Sequence, residues 1–392
     1  MTAEQEFFLQ ILADHLAGKN TAPRVGVDWR ALSQFAHAHQ VEGIVYIQCR
    51  DFMPAEVCAF CRRFYKVSLF YYANRKTLIQ NIREAFSAND IPFFIAKGLE
   101  VAKYYPVPSL RTMGDTDLIV HAHDRERAAK TLANLGFAYD YEYTGKEQIF
   151  SYNRMEVELH YDLVYEEVVT LAEHQAFFNN CWDYVQDGEL DHSFHFLYLI
   201  THLRKHLMNQ GVGFRQFMDI STVARNDASL NWPWIEEKLD ELRLRRFLEV
   251  CFALTERWFG IAAPIRTARP EETFIERAAE KIFADGVFGF DNKENDISVV
   301  SNEVRNFKGP RWMARLSMIR KHAFPGYRHF QGSERYAFFQ GKPWLLPAAW
   351  CYRAYLMLRG ETETGKAYLN RIMTPGQVLD AREKELQEWG LL

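Results

Sequence analysis

The chain has 392 residues, 48% hydrophobic, 15% aromatic and 25% charged, with a formal charge of −4 and a pI near 6.4; at about 100 to 200 residues per domain this is two to three domains of ordinary globular composition, which excludes a disordered chain. The slight acidity excludes a globally basic nucleic-acid footprint. The start, MTAEQEFFLQILADHLAG, lacks a basic region followed by an apolar run, and no apolar run approaches the roughly 18 residues of a membrane span, so a cytoplasmic protein without membrane association is expected.

Helical spacing is the first pattern along the chain. Short amphipathic segments fall around residues 3 to 17 and 28 to 40, and a long helix is predicted from Pro54 to Asn89. There Phe60, Phe64, Val67 and Tyr71 recur at three- and four-residue spacing, Leu78 follows two turns later, and no Gly or Pro interrupts. The six cysteines (49, 58, 61, 181, 251 and 351) are too scattered for a disulfide framework. Cys58 and Cys61 lie in the long helix with no second Cys or His pair at zinc-site spacing, so they read as free helical thiols. Residues 1–89 form an N-terminal helical region.

From Ile91 to about Tyr161 the runs IPFFIAKG, TDLIVHA, FAYDYEY and MEVELHYDL predict a small mixed sheet in the order β, short helix, β, α, β, β. The α segment DRERAAKTLANLG has Asp124 as candidate N-cap and Gly136 at its C-terminal position. This core spans residues 90–190. Residues 191–392 return to helix in HSFHFLYLITHLRKHLMNQ, FRQFMDISTVARN and WPWIEEKLDELRLRRFLEVCFALTERWFG. Within them DNKENDISVVSNEVRN, at 291–306, reads as a loop or insertion, and Trp-rich runs such as WLLPAAW read as core, since they are not interleaved with Lys and Arg. The fold class is α+β: a small mixed sheet flanked by N-terminal helices and a C-terminal helical domain.

The chemistry centres on Arg111-Thr-Met-Gly114-Asp115-Thr-Asp117-Leu-Ile-Val120. Strand alternation puts Asp115 and Asp117 on one face, and adjacent acids need cations to hold them; a pair of Mg²⁺ ions about 3.5 to 4 Å apart uses such acids for in-line phosphoryl displacement. Upstream, Lys97-Gly98 sits at a strand-to-helix turn, where glycine lets backbone N–H groups approach a phosphate and lysine adds positive charge. The strand Met155 to His160 places Glu156, Glu158 and His160 on one face, a source of a third acid; the plainer reading is a solvated edge strand. Arg111 could neutralise phosphate charge from the rim of the same site.

Further on, His202 and His206 are one helical turn apart with Lys205 beside them, and Arg215 and Asp219 follow a Gly-Val-Gly turn. The H-x-x-x-H spacing argues little for zinc, because Leu203 stands where a zinc peptidase has its Glu and no third ligand is evident. An internal Arg215–Asp219 pair is the plain alternative to a role in recognition. The pairs His37 with His39 and His121 with His123 read as surface positions.

Taken together, IPFFIAKG followed by YYPVPSLRTMGDTDLIV, a helix ending in LANLGF, then VELH and HLRKHLMNQGVGFRQFMDI resemble the uncharacterised nucleotidyltransferase family of bacteria, a branch of the polymerase-β-like superfamily that includes aminoglycoside nucleotidyltransferases. The resemblance covers about residues 90 to 225, and more loosely the N-terminal helices and WLLPAAWCYRAYLMLRG. It implies that Gly98 contacts a triphosphate, that Asp115 and Asp117 bind metal, and that Glu158, with Glu156 as the alternative, completes the catalytic set. The superfamily's Gly-Ser is Lys97-Gly98 here, and it lies further from the aspartates than usual.

The implied activity is transfer of a nucleoside monophosphate from a nucleoside triphosphate such as ATP to an acceptor, with release of pyrophosphate. Mg²⁺ is the expected cofactor and Mn²⁺ the alternative. Lys97, Gly98, Arg111, His202, His206, Arg215 and Asp219 are the implied nucleotide-binding residues. A small-molecule or protein acceptor is favoured over nucleic acid, since no basic track with aromatics is visible. The alternative from another class is a nucleotide sensor or inactive scaffold of the same fold.

Overall fold

Thr2 opens the first helix with a reciprocal capping box to Gln5, and Asp28 caps the second. These are α1 (Ala3–Leu16) and α2 (Trp29–Ala38); α3 (Glu42–Cys49) and α4 (Ala55–Ala88) follow. The computed structural model describes residues 1–143, 147–165, 167, 169–287, 289, 293–330, 334–339, 341–359 and 365–392. α3 was not expected from the sequence: it has eight residues and Val41 at its N-cap makes no side-chain cap, so neither length nor a start signal announces it. α4 runs for 34 residues as the uninterrupted periodicity predicts. All six cysteines are free.

The sheet contains β1 (Phe93–Ile95), β2 (Asp117–Val120), β3 (Ala138–Tyr143), β4 (Glu147–Tyr152) and β5 (Met155–His160), with α5 (Leu99–Ala102) and α6 (Arg125–Asn134) between them. Its order is β1-β2-β5-β4-β3, and only the β2–β5 pairing is parallel. β4 is additional to the four runs read from the sequence. It joins β5 through Asn153-Arg154, both at positive φ (49° and 64°). That is the backbone of a tight two-residue hairpin turn, but without the glycine that usually marks one. Asp124 occupies the N-cap position of α6 yet makes no cap bond; its carboxylate pairs with Arg127 at 2.7 Å instead.

Period-two alternation gives the sheet two different faces. Leu118, Val120, Val157 and Leu159 bury against Leu78, Ile82 and Phe86 of α4 and Ala128 and Leu132 of α6. Burying a side chain of this size contributes about 1.5 to 3 kcal/mol, so this face anchors the sheet. The opposite face carries Asp117, Glu158 and His160.

The chain continues through α7 (Ala172–Phe178), the hairpin β6 (Val185–Gln186) and β7 (Glu189–Leu190), α8 (His192–Asn209) and α9 (Phe214–Asn226). The run read as one helix from Trp232 divides into α10 (Trp232–Glu241) and α11 (Arg245–Phe259), with Arg243 at φ 54° in the break; α12 (Glu272–Asp285) follows. His195 of α8 is hydrogen-bonded through Nε2 to the Ala96 carbonyl at 2.6 Å, which ties α8 to the end of β1. No helix among the described residues is long and apolar enough to cross a membrane.

The chain forms two compact units, residues 1–291 with 387–392, and residues 292–386. The second holds α13 (Lys293–Asn306), α14 (Arg311–Ala323), α15 (Leu346–Leu358), α16 (Gly365–Ile372) and most of α17 (Gly376–Glu388). α13 replaces most of the loop expected over 291–306; residues 291 and 292 lie outside the described residues. The polar composition hid an apolar stripe: Val300 and Val304, one turn apart, pack with Met318, Ile372 and Leu379. WLLPAAW, read as core, is only partly so, since Trp344 is 72% exposed while Leu345, Leu346 and Trp350 pack on Phe330, Tyr336 and Phe339.

His39, expected at the surface, is fully buried among the rings of Phe8, Phe214 and Phe283, and neither ring nitrogen has a hydrogen-bond partner. Burial lowers its pKa to about 3 and that of His15 to about 4. The unfolded chain takes up protons on these rings near pH 6.5, whereas the folded chain does not until pH 3 to 4. The unfolded state therefore binds more protons below pH 6.5, and stability falls with acidification. The contribution of these two rings to the melting temperature is expected to be complete above pH 6.5 and to fall steadily towards pH 4. A double His15→Phe, His39→Phe variant that melts with the same pH dependence would contradict this.

Candidate active site

The parallel register of β2 and β5 sets Asp117 opposite Glu158 and Ile119 opposite His160. One potential ligand atom from each of Asp117, Glu158 and His160 lies within 4.8 Å of the others. His160 Nε2 is 3.0 Å from Glu158 Oε2 and 3.4 Å from Asp117 Oδ1, and its Nδ1 is 3.2 Å from Glu147 Oε2 on β4. Lys97 reaches in from the end of β1, with Nζ 2.9 Å from Asp117 Oδ1.

Three acids and two basic groups thus share one small, largely buried space. Burial alone would raise the Asp117 carboxyl, but Lys97 and then His160 hold it well below the usual carboxylate range. Burial would likewise discharge His160, yet hydrogen bonds to Asp117 and Glu158 carry its pKa to about 9. Asp117 is kept ionised by the two cations beside it, whereas burial raises the Glu147 carboxyl above its ordinary range.

Asp115 lies two residues upstream, half-buried and outside that three-residue group. Its segment is held from α4 by Arg75, which is 3% exposed. Arg75 donates to the Gly114 carbonyl at 2.8 Å, to Thr116 Oγ1 at 2.7 Å and to the Asp115 carbonyl. No motif in the sequence announces Arg75. The available signal was its position four residues after Tyr71 and three before Leu78, on the apolar stripe of α4, where a charge must find partners. Glu156, the alternative third acid, is exposed.

Arg111 is not at the rim. It is 8% exposed, and its Nε and Nη2 make a two-pronged pair with Asp219 at 2.7 and 2.8 Å while Nη1 donates to the Gly98 carbonyl at 3.1 Å. Tyr105 also donates to Asp219, at 2.6 Å. The pairing considered for Arg215 with Asp219 is therefore made by Arg111. Arg215 instead donates through Nη1 to the Thr112 carbonyl at 2.9 Å, and its buried Nε has no partner.

His202 and His206 meet Nε2 to Nε2 at 2.8 Å. Burial, reinforced by Lys97, lowers both, His206 to about 4 and His202 well below its ordinary value. Two neutral rings can share one hydrogen bond, one donating and one accepting. Lys205 turns away to Glu167, 2.9 Å distant, so this helix face offers hydrogen bonds rather than the positive charge expected of it.

The sequence matches the family described as uncharacterised nucleotidyltransferase over residues 26–260. The chain belongs to this family. No curated protein and no solved structure matches it. The family match runs from just before α2 to the end of α11, so it takes in the whole sheet, the Lys97-Gly98 turn and helices α8 and α9. Membership supports nucleotidyl transfer as the activity of this enzyme and a nucleoside triphosphate as its substrate.

In this nucleotidyltransferase Gly98 has φ 63° and ψ −110° and directly precedes α5. An added Cβ would meet only Met113 Sδ at 3.6 Å and the Asp115 carbonyl at 4.0 Å, so space is not the constraint. Backbone conformation is, since a side chain at this φ is strained. Gly98→Ala is expected to cost about 1 to 2 kcal/mol in urea denaturation; an unchanged midpoint would mean that the turn relaxes freely.

Proposed function

We propose that this nucleotidyltransferase holds a divalent cation at Asp117, Glu158 and His160, with Asp115 joining them when nucleotide binds, and that it transfers a nucleoside monophosphate from a triphosphate to an acceptor in the manner of the polymerase-β-like superfamily. The observation that carries this reading is the convergence of Asp117, Glu158 and His160 across the parallel β2–β5 pair. The donor set fits the ion. Two carboxylates suit Mg²⁺; the His160 imidazole, protonated between the acids here, would give up its Nε2 proton to solvent when the ion enters, and its nitrogen then extends the fit to Mn²⁺. When bound, the ion would activate the acceptor hydroxyl and neutralise charge on the leaving pyrophosphate.

In this reading Lys97, which now neutralises Asp117, turns its ammonium to the triphosphate beside the Gly98 turn. The Arg111–Asp219 pair holds the Gly98 carbonyl, and so fixes the turn instead of touching the nucleotide. His202 and His206 lie close enough to Lys97 to feel its charge and offer neutral hydrogen-bonding groups to the nucleotide or acceptor. Arg215 has a spare buried donor for the same purpose. The acceptor oxygen bonds to the α-phosphorus, the bond to the bridging oxygen breaks with its electron pair leaving on pyrophosphate, and the acceptor proton passes to water. A small-molecule or protein acceptor fits the weak overall charge.

Mg²⁺ or Mn²⁺ with a triphosphate should raise the melting temperature, by about 2.7 kcal/mol of added stability at a hundredfold excess over Kd. The Asp115→Asn, Asp117→Asn double variant should lose most of that shift. Incubation with α-labelled triphosphates and lysate fractions should then yield labelled product and pyrophosphate. The ammonium of Lys97 placed 2.9 Å from Asp117 favours one other reading, a nucleotide sensor: nucleotide-dependent stabilisation with no pyrophosphate from any fraction would decide for it.

A further inference from the structure

A cavity of about 420 Å³ opens beside the segment Arg111–Met113 that leads to Asp115. Its size is that of an ordinary small-molecule pocket. Phe64, Tyr71 and Tyr72 of α4 and Met113 supply its broad apolar surfaces, and His37 and Glu42 a polar edge. His37 Nδ1 and Glu42 Oε1 are 2.7 Å apart, which fixes that edge as a paired donor and acceptor.

Two side chains connect the cavity to the acidic site. Met113 lines it and also lies against the Gly98 turn. Arg75 lines it and also donates to the carbonyls of Gly114 and Asp115. A ligand in the cavity therefore sits one side chain away from the glycine turn and from the backbone that carries Asp115.

The lining also says what part of a ligand belongs there. Its two arginines are committed, Arg75 to the loop before β2 and Arg111 to Asp219 and the Gly98 carbonyl. A phosphate in the cavity would find neither guanidinium free, whereas Lys97 stands at the acidic site. Aromatic faces with a hydrogen-bonding edge suit a flat, uncharged ring that stacks and is read along one side.

We infer that this cavity holds the nucleobase of the donor triphosphate, stacked on the aromatic side chains of α4 and read by the Glu42–His37 edge. The inference rests on the transfer reading for its triphosphate and assigns the part of the donor which that reading leaves open. The phosphates then lie towards Gly98 and Lys97, and the base lies on the α4 side of the Arg111–Met113 segment.

The test uses the full chain with Mg²⁺ and compares binding of ATP, GTP, CTP and UTP with that of inorganic tripolyphosphate by calorimetry. At least one nucleotide should bind about tenfold or more tightly than tripolyphosphate. Tyr72→Ala, which removes a stacking face, and Ser68→Trp, which fills the cavity from a lining position on α4, should each lower that nucleotide's affinity about tenfold and leave tripolyphosphate within about twofold. Glu42→Gln, close to the native shape, should change the ranking of the four nucleotides, which keeps the test decisive if the other two variants fold poorly. Nucleotide affinity and ranking unchanged in the folded variants, or wild-type protein that binds tripolyphosphate as tightly as every nucleotide, overturns the base assignment and leaves the transfer reading standing. Failure of the wild type to bind either kind of ligand sinks both.

Discussion

Asp117→Asn is expected to lower pyrophosphate release about a thousandfold or more, since the amide keeps the shape of the side chain but not the charge that would hold a cation at the reacting phosphate. Some stability should go with it. Asp117 is 3% exposed and carries the nearest anion to Lys97 Nζ, at 2.9 Å, so the substitution leaves a largely buried ammonium beside a neutral group. Adding Lys97→Met should restore much of the melting temperature and none of the activity. Release within tenfold of wild type in Asp117→Asn would take this carboxylate out of the chemistry and return attention to Asp115 and Glu158.

Asp219→Ala is expected to destabilise the protein by about 3 to 5 kcal/mol, the range for breaking one side of a buried ion pair. The guanidinium of Arg111 would lose two hydrogen bonds at 2.7 and 2.8 Å, and Tyr105 would lose its acceptor. Urea denaturation measures the loss, and the companion Arg111→Met, Asp219→Leu should recover much of it because no charge is left stranded. A different result would speak for direct contact with nucleotide: an unchanged urea midpoint together with lost triphosphate affinity. The distinction matters for the turn at Gly98, because Arg111 is also the donor to its carbonyl.

The two residues of that pair are 108 positions apart, and Arg75 stands 40 positions from the carbonyl it holds at Asp115. No local pattern announces such partners. What the sequence determined by itself was everything with a short period: the long helix α4 from its uninterrupted apolar spacing, the division between a sheet region and helices, the shared face of Glu156, Glu158 and His160, and the family that these runs together resemble. Periodicity acts through backbone geometry over a few residues, so it is legible without knowledge of the fold. Where the local signal was faint, elements were missed, as with α3, which lacks a side-chain cap, β4, whose turn lacks glycine, and α13, whose apolar stripe is diluted by acids and amides.

Only the tertiary structure decided which of two equally placed acids meets Asp117. Glu156 and Glu158 share a face, and a slip of two residues between β2 and β5 would exchange them without turning any side chain over. The register pairs Asp117 with Glu158 and leaves Glu156 exposed. Charge partners were decided the same way: Lys97 meets Asp117, Arg111 meets Asp219, and His202 meets His206 as a neutral ring. The physical reason is that a buried charge takes whichever partner the packing of distant elements brings within about 3 Å, and that choice is made by the whole core rather than by neighbours in the chain.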